Sequence, residues 1–240
     1  MINVPTKKEN TVWLASFDIG SRNFAFYIEE TNIETLNSIK NIKKDERYNE
    51  DGTPTSKMCN ILNTIYNNGK TILHKNSDLT DNKKSNNILD NEILYNMNDL
   101  LDKYGSYWDN CDYFVIEQQM QFGKFKRNPK ALKLGHHCQS YFMFRYGRLK
   151  NVIEFPAYHK TQILGCKKIR GHKYKNGNYR WKSIDKPSRK KWAVTKATEI
   201  LNKRKELHII NDIKRVAKKD DLADTLVQLQ AFKYLTFVVH

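Results

Sequence analysis

Long apolar runs, proline and paired cysteines are all scarce in this 240-residue chain. No stretch approaches the roughly 20 apolar residues that a membrane-spanning helix needs, which excludes an integral helical membrane protein. The four cysteines, Cys59, Cys111, Cys138 and Cys166, are scattered and include no CxxC pair. That excludes a disulfide scaffold and reads as reduced thiols in an intracellular protein. His136, His137 and Cys138, even taken with Cys166 and His172, match no common zinc spacing. The opening MINVPTKKENT lacks both the apolar core of a signal peptide and the Arg-rich pattern of a mitochondrial presequence. An intracellular protein is expected, not a secreted one. Acidic residues are outnumbered, 26 against 42 Lys and Arg, leaving a formal charge of +16.

What is present supports a folded, polyanion-binding protein. Hydrophobic residues make up 39% and aromatics 12%, enough for a core despite a mean hydropathy of -0.75. A pI near 9.6 bears on partners rather than fold. Nucleic acid is the first expectation and an anionic membrane surface the second. The basic residues fall in clusters: Lys124, Lys126, Arg127 and Lys130; then Lys167, Lys168, Arg170, Lys173, Lys175, Arg180 and Lys182; then Arg189, Lys190 and Lys191. Tyr174, Tyr179 and Trp181 interleave the second cluster, where rings can stack on exposed bases while the cations hold phosphate.

Along the chain, residues 12–19 and 24–29 read as two strands joined by a tight turn at Gly20-Ser21-Arg22-Asn23. Residues 31–98 are rich in Asn, Lys and Asp and read as an insertion or decorated edge within one domain spanning 1–240. Lys70–His74 is a candidate strand there, and Ile93–Tyr104 has helical spacing. Asp112–Glu117 reads as a central strand. Asn128 and Pro129 open a helix that runs to Gly147. Asn151–Phe155 is a further strand, Ser188 is expected to cap a helix, and a last helix covers about 220–234. Two or three strands, a helix, a strand, a helix, a strand and two helices make an α/β domain with a mixed sheet.

Three acidic stations stand out. Asp18 ends the strand WLASFD, Glu117 ends DYFVIE, and Asp221 and Asp224 lie three apart on one face of the last helix. Phosphodiester cleavage by two metals about 4 Å apart needs several hard oxygen ligands at one point. Each acid alone also suits a turn, a strand end or a helix N-terminus; their joint occurrence points to a nuclease.

The run VIEQQ, ALKLG on the next helix, Pro156 with Lys160 and Gly165, and then DLADTL resemble the RuvC type of Holliday junction resolvase. DIGSRNFAF and the double acid Asp220-Asp221 resemble its eukaryotic branch, which includes poxvirus and fungal mitochondrial enzymes. The resemblance runs in order over about 12–235, with a gap across the Asn/Lys-rich segment. It implies an RNase H-like fold and a homodimer that resolves four-way DNA junctions by paired nicks, leaving 5′-phosphate and 3′-hydroxyl ends. It also implies Mg²⁺ or Mn²⁺, two per site, held by Asp18, Glu117, Asp221 and Asp224, with Asp220 a candidate helper. Lys160 joins the expected nucleic-acid-binding residues. The bacterial pattern has an aromatic junction wedge three residues after the motif Glu; here that position is Met120, with Phe122 near it. The resemblance favours a viral enzyme acting in host cytoplasm or nucleus over a mitochondrial one.

Three rivals remain at this stage. DIGSRN also resembles the first phosphate loop of sugar kinases and actin-like ATPases, but ten glycines and no second such loop argue against that fold. A ribonuclease H acting on RNA–DNA hybrids would share the architecture. A branched-DNA binder without catalysis would share the surface.

Overall fold

The computed structural model describes residues 4–81, 89–119, 128–175, 177–215 and 218–239. A five-stranded mixed sheet organises it. β1 (Thr11–Asp18) and β2 (Phe24–Asn32) form a hairpin, and β3 (Lys70–Ser77) extends it at the edge. β4 (Tyr113–Gln118) and β5 (Asn151–Pro156) add on the other side of β1, giving the order β3-β2-β1-β4-β5. The first three strands are antiparallel, whereas β4 runs parallel to β1 and β5 parallel to β4.

Alternation along β1 decides what lies on each side. Trp13, Ala15 and Phe17 enter one apolar layer and Leu14 the other. The first layer is closed by α3 (Asn91–Lys103), α4 (Gly105–Trp108) and α5 (Pro129–Tyr146). There the Phe114 and Phe142 rings stack with centroids 4.0 Å apart. The Asn128 side chain accepts from the Ala131 N–H and Pro129 sits in the first turn, as the sequence implied. His137 bonds to the Asn98 side chain and Cys138 is buried, so these two serve the α3–α5 packing, whereas His136 is exposed.

The second layer holds α1 (Ile33–Asn37), α2 (Ser56–Asn67) and α6 (Tyr158–Ile163). It also holds α7 (Lys186–Lys203), α8 (Leu207–Arg215) and α9 (Lys219–Phe237). α9 is buried nearly all round, as befits the central helix of a layer. A separate hairpin, β6 (Ile169–Lys173) with β7 (Tyr179–Lys182), carries the second basic cluster.

Several local expectations change. The cap of α7 is Asp185, not Ser188: the Ser188 N–H donates to Asp185 Oδ1 at 2.8 Å. Pro187 fills the first turn, where its missing N–H leaves nothing unpaired. Among the described residues four helices, not two, follow β5, because α6 precedes the β6–β7 hairpin and α8 lies between α7 and α9. Within 31–98 the expected strand at Lys70 is there, as β3 at the sheet edge, and α2 presents Met58, Ile61, Leu62, Ile65 and Tyr66 to the core.

A buried charge network fastens α9 to β2. Glu29 is fully buried. It accepts from Lys233 Nζ at 2.6 Å, Arg204 Nη1 at 2.8 Å and Gln230 Nε2 at 2.9 Å. Tyr27 and Thr31 also donate to it. A Cβ on Gly69 would collide with the Glu29 carboxylate and the Arg204 guanidinium, so this close approach requires glycine. Burial alone would raise the Glu29 pKa, but Arg204 and Lys233 hold it at about 2. Burial lowers Lys233 to about 8, against the pull of Glu29. Glu29→Ala would strand two buried cations and should cost about 3–5 kcal/mol. Lys233→Met leaves Glu29 paired with Arg204 and should cost clearly less. Chemical denaturation of both variants checks the ranking; equal losses would mean the two cations do not share the carboxylate.

Candidate active site

The two strand-borne acids meet because β1 and β4 are parallel neighbours. Ser16 pairs with Val115 and Phe17 with Ile116, so the next residues, Asp18 and Glu117, emerge level at the same sheet edge. Their carboxyl groups share a hydrogen bond. Gly20 lets the chain turn immediately after Asp18, since a Cβ there would lie 2.8 Å from the Asn23 carbonyl oxygen. α9 packs on this part of the sheet and brings Asp224 to the same place. Asp224 raises the Asp18 pKa, and Glu117 raises that of Asp224.

A lysine stands among these acids. Lys160, on α6, is only 7% exposed. Its Nζ donates to Glu117 Oε1 at 2.8 Å and lies 3.7 Å from Asp224 Oδ1. Lys160, expected to bind nucleic acid, therefore stands buried among the acids and apart from the exposed basic clusters. Its flanking apolar residues, among them buried Ile163, press α6 onto α9 and draw Lys160 inward.

The electrostatics follow from crowding. Burial, and then the Glu117 charge, push Asp18 well above the usual carboxylate range. Burial acts on Glu117 in the same sense, but Lys160 and the bond from Asp18 outweigh it and hold Glu117 below its ordinary value. The shared proton therefore sits on Asp18 and the charge on Glu117. Burial and Glu117 raise Asp224 despite Lys160. Burial disfavours the Lys160 ammonium, yet Glu117, Asp224 and Asp18 together raise its pKa.

Asp220 and Asp221 open α9 one turn before Asp224. Lys190, from the first turns of α7, donates to Asp220 Oδ2 and keeps Asp220 ionised against the effect of burial. Asp221 Oδ2 is buried with no hydrogen-bond partner. Burial and the Asp220 charge raise Asp221 to about 6. Among the described residues, no three acid, histidine or cysteine side chains already form a metal cage. Lys160 and Lys190 supply the positive charge instead. The donor set nonetheless suits a hard cation: carboxylates only, one pair sharing a proton, and an orphaned buried oxygen.

The basic residues take three positions. Lys167 and Lys168 lead into the β6–β7 hairpin, which carries Arg170, Lys173, Arg180, Trp181 and Lys182, with Tyr174 and Lys175 in its turn. The Arg170 guanidinium lies over both the Tyr179 and Trp181 rings, at 4.8 and 5.6 Å from their centroids. Lys190 reaches Asp220 from α7, the exposed Lys191 follows it in the chain, and Lys130 lies in the first turn of α5. Lys124, Lys126, Arg127, Met120 and Phe122 lie outside the described residues.

The raised Asp221 pKa sets a pH-dependent stability. The folded state binds this proton more tightly than the unfolded chain, whose value is near 3.8. The stabilisation is complete below that value and is lost as pH rises through about 6. Asp221→Asn should therefore stabilise the metal-free protein by roughly 1 kcal/mol at about pH 8 and by little at about pH 4. Calorimetric melting of both proteins at the two pH values tests this, and a variant that melts below the unaltered protein at about pH 8 would contradict it.

No protein-family model matches the chain. It is 32% identical over 238 residues to the uncharacterized protein 170L of Invertebrate iridescent virus 6, covering 95% of this chain and 91% of that one. It is 30% identical over 230 residues to protein 97L of Invertebrate iridescent virus 3, covering 92% and 98%. Among solved structures it is similar to the yeast mitochondrial Holliday junction resolvase Ydc2, with a TM-score of 0.50, 11% identity, and 92% of this chain and 77% of that one covered. It is also similar to the fowlpox virus resolvase in complex with Holliday junction DNA, with a TM-score of 0.46, 19% identity, and coverage of 94% and 99%. The sheet order and the likeness to Ydc2 establish the RNase H-like fold that the sequence resemblance implied. By its identity to two viral proteins along nearly its whole length, the chain belongs to the family of the iridescent virus proteins 170L and 97L.

Proposed function

We propose that this chain is a metal-dependent endonuclease that resolves four-way DNA junctions by paired, symmetric nicks. The observation that carries the proposal is the meeting of Asp18, Glu117 and Asp224 around one buried lysine at the sheet edge. Carboxylates from three distant segments converge there at a cost in repulsion and desolvation, which a phosphodiesterase has reason to bear. The fold it shares with a Holliday junction resolvase supports the choice of substrate.

Asp18, Glu117, Asp221 and Asp224 would hold Mg²⁺ or Mn²⁺, two per site, with Asp220 as a helper held ready by Lys190. When bound, the divalent metal supplies positive charge to the attacking and leaving oxygens of the phosphodiester. Asp18 must give up its proton to become a ligand. Lys160 keeps Glu117 ionised and oriented, and its ammonium remains beside the developing phosphate charge. The acids lie at the sheet edge, and Lys190, which reaches Asp220, with the exposed Lys191 next to it in the chain, would hold the DNA backbone. The aromatic, basic β6–β7 hairpin offers a second surface for branched DNA.

A four-way junction is two-fold symmetric, so paired nicks call for a homodimer. Phe144 and Leu149, each 90% exposed near the end of α5, offer apolar surface to a second copy. No helix among the described residues is long and apolar enough to cross a membrane. The viral relatives support a viral enzyme, for which the proposed place of action is host cytoplasm or nucleus.

Asp18→Asn, Glu117→Gln and Asp224→Asn should each lower junction cleavage by on the order of 10³-fold. Junction binding in EDTA should stay within about twofold of the unaltered protein, since phosphate contacts come from elsewhere. Gel-shift and cleavage assays run side by side give the answer, and parallel loss of binding would show that the acids serve the fold.

A further inference from the structure

Gln228 is 1% exposed, lies at the middle of α9, and has no part in the chemistry described above. Its Nε2 lies 3.1 Å from Ser16 Oγ, 3.3 Å from the Phe17 carbonyl oxygen and 3.2 Å from the Val115 carbonyl oxygen. Phe17 immediately precedes Asp18, and Val115 stands two residues before Glu117. Gln228 itself follows Asp224 by four residues, one helical turn. One amide group thus touches both strand ends that carry acids, from the helix that carries the third.

We infer that Gln228 is the positioning residue of the acid cluster: a clamp that sets how β1, β4 and α9 approach one another, and so the separation of Asp18, Glu117 and Asp224. The inference rests on the proposed metal-dependent nuclease and names what pre-organises its site. Apolar packing resists separation of a helix from a sheet but resists sliding along it poorly, because dispersion contacts have little direction. Hydrogen bonds from one amide to carbonyls on two strands are directional and resist both. Sites of converging ligands need their geometry held to about 0.5 Å.

The residue type follows from the position. An apolar side chain would leave the two carbonyls without this donor. A lysine or arginine would place another charge next to Asp18 and Glu117. A glutamate would turn acceptors toward acceptors. Asparagine keeps the amide but is one methylene too short to span both carbonyls. Ser16, fully buried, is the least demanding of the three contacts, because its hydroxyl can rotate to another partner.

The test uses the full chain without DNA and reads Mn²⁺ binding by electron paramagnetic resonance, together with melting temperature and junction binding in EDTA. Gln228→Met should weaken Mn²⁺ binding by about tenfold or more, the effect typical of residues that orient metal ligands. Junction binding in EDTA should remain that of the unaltered protein. Ser16→Ala spares both carbonyl contacts and should bind Mn²⁺ normally. If Gln228→Met does not fold, Gln228→Asn retains a buried amide and should show the same weakening.

Unaltered Mn²⁺ affinity in the Gln228 variants, whatever their melting temperatures, overturns the clamp. So does a loss of Mn²⁺ binding in Ser16→Ala and Gln228→Met that merely tracks melting temperature. An unaltered protein that binds Mn²⁺ but cuts no junction overturns the nuclease and leaves the clamp to be judged on Mn²⁺ alone. An unaltered protein that binds no Mn²⁺ overturns both.

Discussion

Lys160 is what allows the acid cluster to exist in a folded chain. Glu117 and Asp224 are partly buried carboxylates close to a third, Asp18, and in the absence of a cation their repulsion would push the strand ends and α9 apart. The Lys160 ammonium, 2.8 Å from Glu117 and 3.7 Å from Asp224, offsets that repulsion, and the proton shared by Asp18 and Glu117 removes one charge more. The other elements of the region are placed to serve this arrangement. α6 seats the lysine, the parallel pairing of β1 and β4 levels two of the acids, and α9 delivers the third.

α9 therefore carries two buried polar systems of opposite purpose. Toward its N-terminal end, Asp221 and Asp224 are held with raised pKa values, and Asp221 Oδ2 has no partner at all. That end is a store of unfavourable electrostatics of the kind found where ligands are bound. Toward its C-terminal end, Gln230 and Lys233 join Arg204 in saturating Glu29 with hydrogen bonds. Gln228 stands between the two systems. A helix anchored firmly at one end can present strained acids at the other, and the trade between stability and activity is written along a single element.

The two strands that end on acids are legible because their pattern is strong: apolar, β-branched and aromatic runs that stop on Asp18 and Glu117. Given that these strands are neighbours, the pairing of Phe17 with Ile116 puts Asp18 and Glu117 together. Other features were hidden for physical reasons. Charge in a sequence carries no depth, so nothing in it shows that α6 folds Lys160 inward among the acids. Glu29 lies in the run IEET, where two adjacent acids suggest a solvated strand end; only the distant Arg204 and Lys233 make burial there tolerable. The stripe of α2 is diluted by Asn and Lys, and Asp185 and Ser188 both suit a helix cap, a contest settled by Pro187 in the first turn. Gln228 gave no signal of its own, since a lone glutamine in a leucine-rich helix usually faces solvent.

The most direct test of the account offers the purified protein a synthetic four-way junction with an immobile core, a linear duplex and an RNA–DNA hybrid, each with Mg²⁺ and with EDTA. Symmetric nicking of the junction alone, and only with the metal, is the expected result. Cleavage of the hybrid in preference would move the site to a ribonuclease H. Tight junction binding without cleavage in either Mg²⁺ or Mn²⁺ would contradict the catalytic reading of the acids.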